Sequence, residues 1–237
     1  MFLFFGRYND KVGISMYEQQ MHGNDSTIIT SIEQQKRNRS RYNIYINHEF
    51  SFAVHEDILV KYRLMKGREI NPEEIKEVLI AEERNRAMQY ALRFLSYRPR
   101  TATEVSEHLQ RKGFLREDID GIISYLQDKK YLDDQSYALQ WVEERKRLKP
   151  RGRSLLRMEL IQRGIDDHLA DQALEDQLTG QEEREMIENW IYKKCSQKKF
   201  PNLYEMKKRI VPFLQRKGFP LDLILEVVHT VGEDFLE

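Results

Sequence analysis

The spacing of apolar residues changes near residue 71 of this 237-residue chain. Over residues 42–46, and again over residues 50–54, apolar and polar side chains alternate. An interval of two predicts half-buried strands, and the short segment between them, Asn47-His48-Glu49, predicts a hairpin connection. The chain before residue 71 is therefore expected to contain a small β-hairpin.

The segment after the hairpin closes this first unit. A helix of one or two turns is predicted from Asp57 to Met65, with its end at Gly67, and residues 68–70 are expected to add an edge strand. A unit of roughly 45 residues buries too little apolar surface to be securely stable alone. We therefore expect it to pack, as an N-terminal cap, on the sequence that follows.

From Asn71 onward the apolar residues recur at intervals of three and four, which predicts helices almost without interruption. Asn71 is a favourable N-cap, and Pro72 fits the first helical turn. Thr101 and Glu104 form the pattern of a capping box, so another helix is expected to begin there. The remainder of the chain is thus predicted to be a series of helices.

A six-residue segment, Leu-Gln-Arg-Lys-Gly-Phe, occurs around Gly113 and again, letter for letter, around Gly218, and a weaker copy surrounds Gly164. The spacing of the three glycines suits a repeat of three short helices with their turns. A basic helical turn before each glycine and an apolar residue after it are typical of a left-handed helix end. The predicted fold is mainly α, with three tandem three-helix repeats in an elongated array behind the β-hairpin cap.

These patterns divide the chain into five predicted segments. They are a poorly ordered extension (1–26), a small α+β N-terminal domain (27–70), and three helical repeats (71–132, 133–179 and 180–237).

Composition limits the function in a general way. Lys and Arg together number 39, as do Asp and Glu, so the formal net charge is zero. This balance argues against a protein that coats nucleic acid generically, but it leaves room for local basic patches. The single cysteine, Cys195, cannot form an internal disulfide, which favours a reducing compartment. No apolar run is long enough to span a membrane.

The charged residues are sorted into blocks. Residues 145–163 contain eight basic side chains against one acid, Glu159, a second basic block covers residues 193–217, and the sequence between them is mostly acidic. Basic helices can meet phosphates or acidic protein patches, although simple solvation of a charged face is the alternative. Of these basic residues, the turn Arg151-Gly152-Arg153 is expected to contribute most to binding a partner. The residues predicted to contact a partner are Arg145, Lys146, Lys149, Arg151, Arg153, Arg157, Lys207, Lys208 and Arg209.

No group of residues predicts catalysis. Asp133-Asp134 is interpreted as a helix cap rather than a metal pair. The six histidines lack metal-ligand spacing, and none pairs recognisably with Cys195. Trp141 and Trp190 are predicted core residues, with stacking on a nucleobase as the minor alternative. We expect no catalytic residue, no metal site, no cofactor and no enzymatic activity.

Several short motifs follow one another in a distinctive order along the helical part of the chain. They are Arg98-Pro99-Arg100-Thr101 with Glu104, Lys112-Gly113-Phe114, Tyr131-Leu132-Asp133-Asp134 with Tyr137-Ala138, Arg151-Gly152-Arg153 with Glu159-Leu160, and Arg163-Gly164-Ile165. In this order and spacing they resemble the bacterial RecX family of recombination regulators. The likeness covers about residues 27–231, including the predicted hairpin.

The resemblance implies an interaction protein. RecX proteins bind the RecA recombinase and its nucleoprotein filament on single-stranded DNA, lie along the filament groove, and inhibit filament growth, strand exchange and the co-protease role. It also implies a cytoplasmic protein without a cofactor, here expected to be a monomer, for which single- and double-stranded DNA would be weaker partners.

Two other functions stay open at the level of sequence. Three-helix units resemble helix-turn-helix modules, so the protein could regulate by binding DNA directly. The predicted third helices, over residues 119–126 and 169–178, lack a basic face for reading bases, however. A scaffold that binds some other protein would use the same repeats.

Overall fold

The computed structural model describes residues 27–195 and 200–236, so the extension expected over residues 1–26 lies outside the described residues. The chain divides into two compact units, one ending at Tyr90 and the other beginning at Ala91. The described helices and strands, in chain order, are β1 (Ile29–Gln34), β2 (Arg41–Ile46), β3 (Glu49–His55), α1 (Glu56–Lys61), α2 (Pro72–Leu95), α3 (Ala102–Arg111), α4 (Arg116–Asp128), α5 (Asp134–Leu148), α6 (Arg153–Gln162), α7 (Asp167–Gln177), α8 (Gly180–Cys195), α9 (Leu203–Arg216), α10 (Leu221–Val231) and a final 3₁₀ turn (Gly232–Phe235).

The first unit contains an antiparallel sheet in the order β1-β2-β3. The predicted hairpin is confirmed: Asn47 and His48 join β2 to β3 with φ of 50° and 74°, as a tight hairpin turn requires. Strand β1 was not predicted, because a register shift between Ile29 and Ser31 interrupts its alternation. The edge expected over residues 68–70 is reduced to an isolated antiparallel bridge between Glu69 and Ile28, with backbone hydrogen bonds from Ile29 to Arg68 and from Ile70 to Thr27.

The core of the first unit joins the sheet to the helices around it. Ile44, Val54 and Ile58 are buried together with Ile75 and Val78 from the first half of α2. This packing of the sheet on the start of α2 is the support that the small hairpin unit was expected to need.

Local sequence signals place the helix starts. The Asn71 side chain accepts a hydrogen bond from the Glu74 amide at 2.8 Å, and Asp133 accepts one from the Ser136 amide at 3.0 Å. Thr101 and Glu104 form the capping box in both directions. These N-caps satisfy amides that a helix cannot satisfy itself, so their residue types could be recognised before the fold was known.

The second unit begins within α2, and the helices from α2 onward form three three-helix repeats, as predicted. The middle helices α3, α6 and α9 end at Gly113, Gly164 and Gly218, whose φ values of 91°, 78° and 86° confirm the left-handed C-caps. In the second and third repeats the first helix packs on the third: α5 packs on α7, and α8 packs on α10. The exact segment boundaries proposed from the sequence stay a prediction.

Successive repeats are joined by hydrogen bonds at equivalent places: the start of the middle helix of one repeat and the end of the middle helix of the next. The Thr101 hydroxyl donates to the Arg163 carbonyl at 2.6 Å, which joins the start of α3 to the end of α6. One repeat later, the Gly152 amide donates to the Lys217 carbonyl at 2.9 Å, which joins the start of α6 to the end of α9. The left-handed glycine turns of the second and third repeats, at Gly164 and Gly218, therefore lie against the preceding repeat.

Among the described helices, none combines the length and the apolar character needed to cross a membrane.

Candidate partner-binding surface

The Arg151-Gly152-Arg153 turn precedes α6 and lies at the junction of the second and third repeats. Gly152 is buried, and a Cβ added there would stand 2.3 Å from the Gly218 carbonyl oxygen. Because Gly152 has no side chain to cap α6, Glu183 from α8 does so and accepts a hydrogen bond from the Arg153 amide at 2.9 Å. The turn therefore joins the second and third repeats and depends on Glu183 for its helix cap, and its sequence reveals neither role.

The two arginines of this turn are paired within the protein. The Arg153 side chain donates to Glu183 at 2.8 Å and to the Leu178 carbonyl at 3.0 Å. Glu183 is only 2% exposed, and Arg153 is the cation that pairs with its buried carboxylate. Arg151 forms an ion pair with Glu159. The turn can therefore offer a partner much less free charge than its sequence suggested.

Trp141 lies at the centre of a polar cluster between the first and second repeats. The guanidinium carbons of Arg145 and Arg163 each lie 3.9 Å from the centroid of its ring. Its Nε1 donates to Glu159 at 3.1 Å, as does Arg145. Arg163 in turn donates to Glu104 at 2.9 Å. Trp141 is half-buried against the core, and its ring is already in contact with cations of the protein itself.

Two further predicted contact residues are also engaged. The Lys146 ammonium lies 2.6 Å from Glu182 and donates to the Gln177 carbonyl. Arg157 pairs with Asp171 at 2.6 Å and with Asp167. The hydrogen bonds that Arg157 donates to these two carboxylates raise the pKa of its guanidinium above its ordinary value.

The other four predicted contact residues have no ion-pair partner among residues 27–195 and 200–236. Lys149, Lys208 and Arg209 are exposed and Lys207 is half-buried. Lys149 follows the last turn of α5, and the other three lie on α9. The structure thus separates the nine predicted residues into five with intramolecular partners and four whose charge faces solvent. Their contact with a partner stays a prediction.

Groups that could carry chemistry are few in the described part of the chain. No cluster of three His, Cys, Asp or Glu side chains there could hold a metal ion. Asp133 serves as a cap, as its position before a helix indicated. Cys195 is buried, and burial raises the pKa of its thiol, which disfavours the reactive thiolate.

Four protein-family models match the chain in order: the regulatory protein RecX N-terminal domain over residues 27–71, and the first, second and third RecX three-helix domains over residues 87–126, 133–174 and 181–228. Together they cover most of both units.

Individual relatives agree with these models. The chain is 37% identical to regulatory protein RecX of Bacillus subtilis over 196 residues, which are 83% of this chain and 74% of the relative. It is 33% identical to regulatory protein RecX of Leuconostoc mesenteroides over 88% of this chain and 79% of that one.

The fold is shared with solved structures of the same name. A crystal structure of regulatory protein RecX aligns with a TM-score of 0.69 at 26% identity, over 86% of this chain and 99% of the other. RecX from Lactobacillus salivarius aligns with a TM-score of 0.58 at 25% identity, over 64% and 98%. The motifs, the four domains in order and these relatives agree, and the chain belongs to the RecX family of regulatory proteins.

Proposed function

We propose that this protein binds the RecA recombinase and its filament on single-stranded DNA, lies along the filament groove, and inhibits filament growth, strand exchange and co-protease activity. It would do so in the cytoplasm, as a monomer and without a cofactor. The observation that carries the proposal is the match of all four RecX domains, in order, within one chain.

The surface of the second unit supports a role in binding. Repeats that dock end to end leave one face of each helix set free for a partner. Lys149 and Lys208 are exposed there without ion-pair partners in the described residues. Unpaired surface cations of this kind raise association rates with acidic protein patches or with phosphates.

Regulation of this kind requires no covalent chemistry from the protein. The described residues offer no metal cluster, and the single cysteine is buried. We therefore propose that the protein acts by binding alone, and we expect no hydrolase, nuclease or ATPase turnover from the homogeneous protein.

RecA-dependent ATP hydrolysis on single-stranded DNA, measured with and without this protein, tests the proposal. We expect the hydrolysis rate to fall as the protein is added, since fewer RecA subunits would be held in active filaments. An unchanged rate at saturating protein would refute it and would favour a scaffold for another partner. Sequence-specific shifts of duplex DNA in gels would favour a direct DNA-binding regulator.

A further inference from the structure

The three repeats differ at one equivalent pair of positions. The first member lies near the end of the first helix of each repeat, and the second lies five residues before the left-handed glycine. In the first repeat Phe94 and His108 stack there, with ring centroids 4.1 Å apart. In the second repeat Arg145 and Glu159 form an ion pair at 3.1 Å. The same place in the fold thus holds an aromatic pair in one repeat and a cation paired with a carboxylate in the next.

In the third repeat the cation is kept and its carboxylate is lost. Lys194 and Arg145 each follow a tryptophan by four residues, while Phe213 takes the position of Glu159. The Lys194 ammonium lies 4.8 Å from the centroid of the Phe213 ring. A cation over an aromatic ring keeps its full charge, so Lys194 stays positive without the carboxylate that Glu159 supplies in the second repeat.

Two more cations have been added around the same place. Arg209 replaces Leu155, and Arg216 replaces Gln162, when the repeats are aligned on their glycines. Both side chains are exposed, and neither has an ion-pair partner in the described ranges. The third repeat therefore carries positive charge at two positions where the second repeat is apolar or neutral, and the first repeat shares only the second of these cations, as Arg111.

These residues surround one cavity of about 320 Å³. It is lined by Lys194, Arg209, Arg216, Phe200, Ile210 and Phe213. The described lining thus combines three cations with an apolar and aromatic wall and contains no carboxylate. Phe213 is held in place because its ring packs edge-on against Trp190, at 5.4 Å between centroids.

The composition of the cavity defines its ligand. Three cations near one another repel unless an anion lies between them, and the arginine forks match phosphate oxygens in particular. The aromatic wall favours an anion that also carries a flat ring, because bases stack on aromatic side chains at a gain of about tenfold in affinity or more. The Lys194 ammonium lies over the Phe213 ring in the unliganded protein, and its flexible side chain would move to the phosphate and leave that face of the ring to the base. The volume lies at the lower end for small-ligand sites, which suits one nucleotide rather than a duplex.

We propose that this cavity, defined by Lys194, Arg209, Arg216 and Phe213, binds one nucleotide unit of a single-stranded nucleic acid through its phosphate and its base. An acidic peptide would satisfy the cations and leave the aromatic wall unused, so the observations favour the nucleotide. The inference goes beyond the proposed inhibition of RecA, since it concerns direct contact with nucleic acid.

The test measures binding of a fluorescein-labelled oligothymidylate to the full-length protein by anisotropy, in the absence of RecA. Arg209→Glu/Arg216→Glu should lose about tenfold in affinity or more, and the dependence on salt should fall by roughly one unit of log–log slope. The matched control, Arg116→Glu/Lys129→Glu in the first repeat, changes the net charge equally and should stay within about twofold of wild type. Equal losses in the two double variants would overturn the proposal, since only the total charge would then matter.

The aromatic wall has its own test. Phe213→Leu should weaken binding of the oligothymidylate but leave binding of an abasic oligonucleotide, which has the same phosphates, unchanged. Equal effects on both ligands would overturn the stacking contact. Displacement of the probe by polyglutamate more readily than by unlabelled oligothymidylate would assign the cavity to an acidic protein instead. Circular dichroism and thermal melting identify any variant that fails to fold, and Arg216→Gln then replaces it. Because RecA is absent, failure here leaves the proposed function untouched.

Discussion

Gly164 lies so close to Thr103 that a Cβ on the glycine would stand 2.2 Å from the threonine Oγ1. The Thr103 hydroxyl donates to the Gly164 carbonyl at 3.2 Å, so the turn is held against the preceding repeat by a hydrogen bond as well as by close packing. Gly218 is equally crowded by Leu155, with 2.4 Å to its Cβ. Gly113, at the same position of the first repeat, has nothing within 4 Å.

This difference predicts an order of stability among glycine variants. Gly113→Ala should destabilise by about 1 kcal/mol, the strain of a side chain at positive φ. Gly164→Ala and Gly218→Ala should each destabilise by about 3 kcal/mol, because steric overlap with the preceding repeat is added. Denaturant unfolding of the three variants measures the order. Similar values for all three would mean that the junctions adjust easily and that only φ matters.

The pairing of Arg153 with Glu183 predicts a loss of stability on charge reversal. Arg153→Glu would leave a 2% exposed carboxylate facing a second one, and we expect destabilisation of about 2–4 kcal/mol after allowance for the partly exposed arginine. The control variant is Lys149→Glu. Lys149 is exposed and has no ion-pair partner in the described residues, so this change should alter the free energy of unfolding by less than about 0.5 kcal/mol. Thermal melting checks both. Equal melting temperatures would show that Arg153 is only a solvated charge.

The pair of Lys146 and Glu182 predicts a dependence on pH. Hydrogen bonds from the Lys146 ammonium and the Thr179 amide lower the pKa of Glu182 to about 2. A carboxyl group whose pKa is depressed in the folded state stabilises the fold above its unfolded pKa, and this contribution is lost as the pH falls from about 4.5 towards 2. Lys146→Met should therefore be less stable than wild type at neutral pH, and the difference should shrink over that acidic range.

The expected difference is below about 1 kcal/mol, since Glu182 is 37% exposed and solvent screens the pair. Denaturant midpoints measured at several pH values determine it. Arg147→Met, on the neighbouring exposed residue, provides the control and should differ from wild type by the same amount throughout. A gap for Lys146→Met that stays constant between neutral and acidic pH would contradict the assignment.

The exposed cations predict which variants lose regulatory activity. Lys149→Glu/Lys208→Glu should retain the wild-type melting temperature and inhibit RecA-dependent ATP hydrolysis about tenfold less effectively, because each reversal removes an attraction and adds a repulsion. Wild-type inhibition should also weaken as salt is added. Lys36→Glu/Arg37→Glu, in the first unit, makes the same change of charge and should have a smaller effect. If both pairs inhibit like wild type, the contact surface lies elsewhere.

Much of the fold could be predicted because its signals are local. The capping box of Thr101 and Glu104 and the left-handed glycines depend on hydrogen bonds within a few residues, so residue type and order were sufficient. Strand β1 escaped notice because the irregularity between Ile29 and Ser31 disrupts the alternation that identifies a strand. The family, too, could be identified, because it is marked by short motifs in a fixed order along the chain.

Local sequence signals could not predict which cations are paired with a carboxylate in the fold. The sequence of residues 145–163 shows eight cations and one acid, which indicates a free basic surface. In the fold, Glu183 comes from 30 residues away to neutralise Arg153, and Glu182 reaches Lys146 from the same helix. Both arginines of the Arg151-Gly152-Arg153 turn, which the sequence singled out as the main contact site, are therefore paired within the protein.

The sequence by itself determined the helices, their caps, the threefold repeat and the family, since these follow from periodicity and from residues close together in the chain. Only the tertiary structure decided which cations have partners and that Lys194, Arg209 and Phe213 share one cavity. Electrostatic energy depends on distance in space, and a count of charges along the chain does not contain that distance.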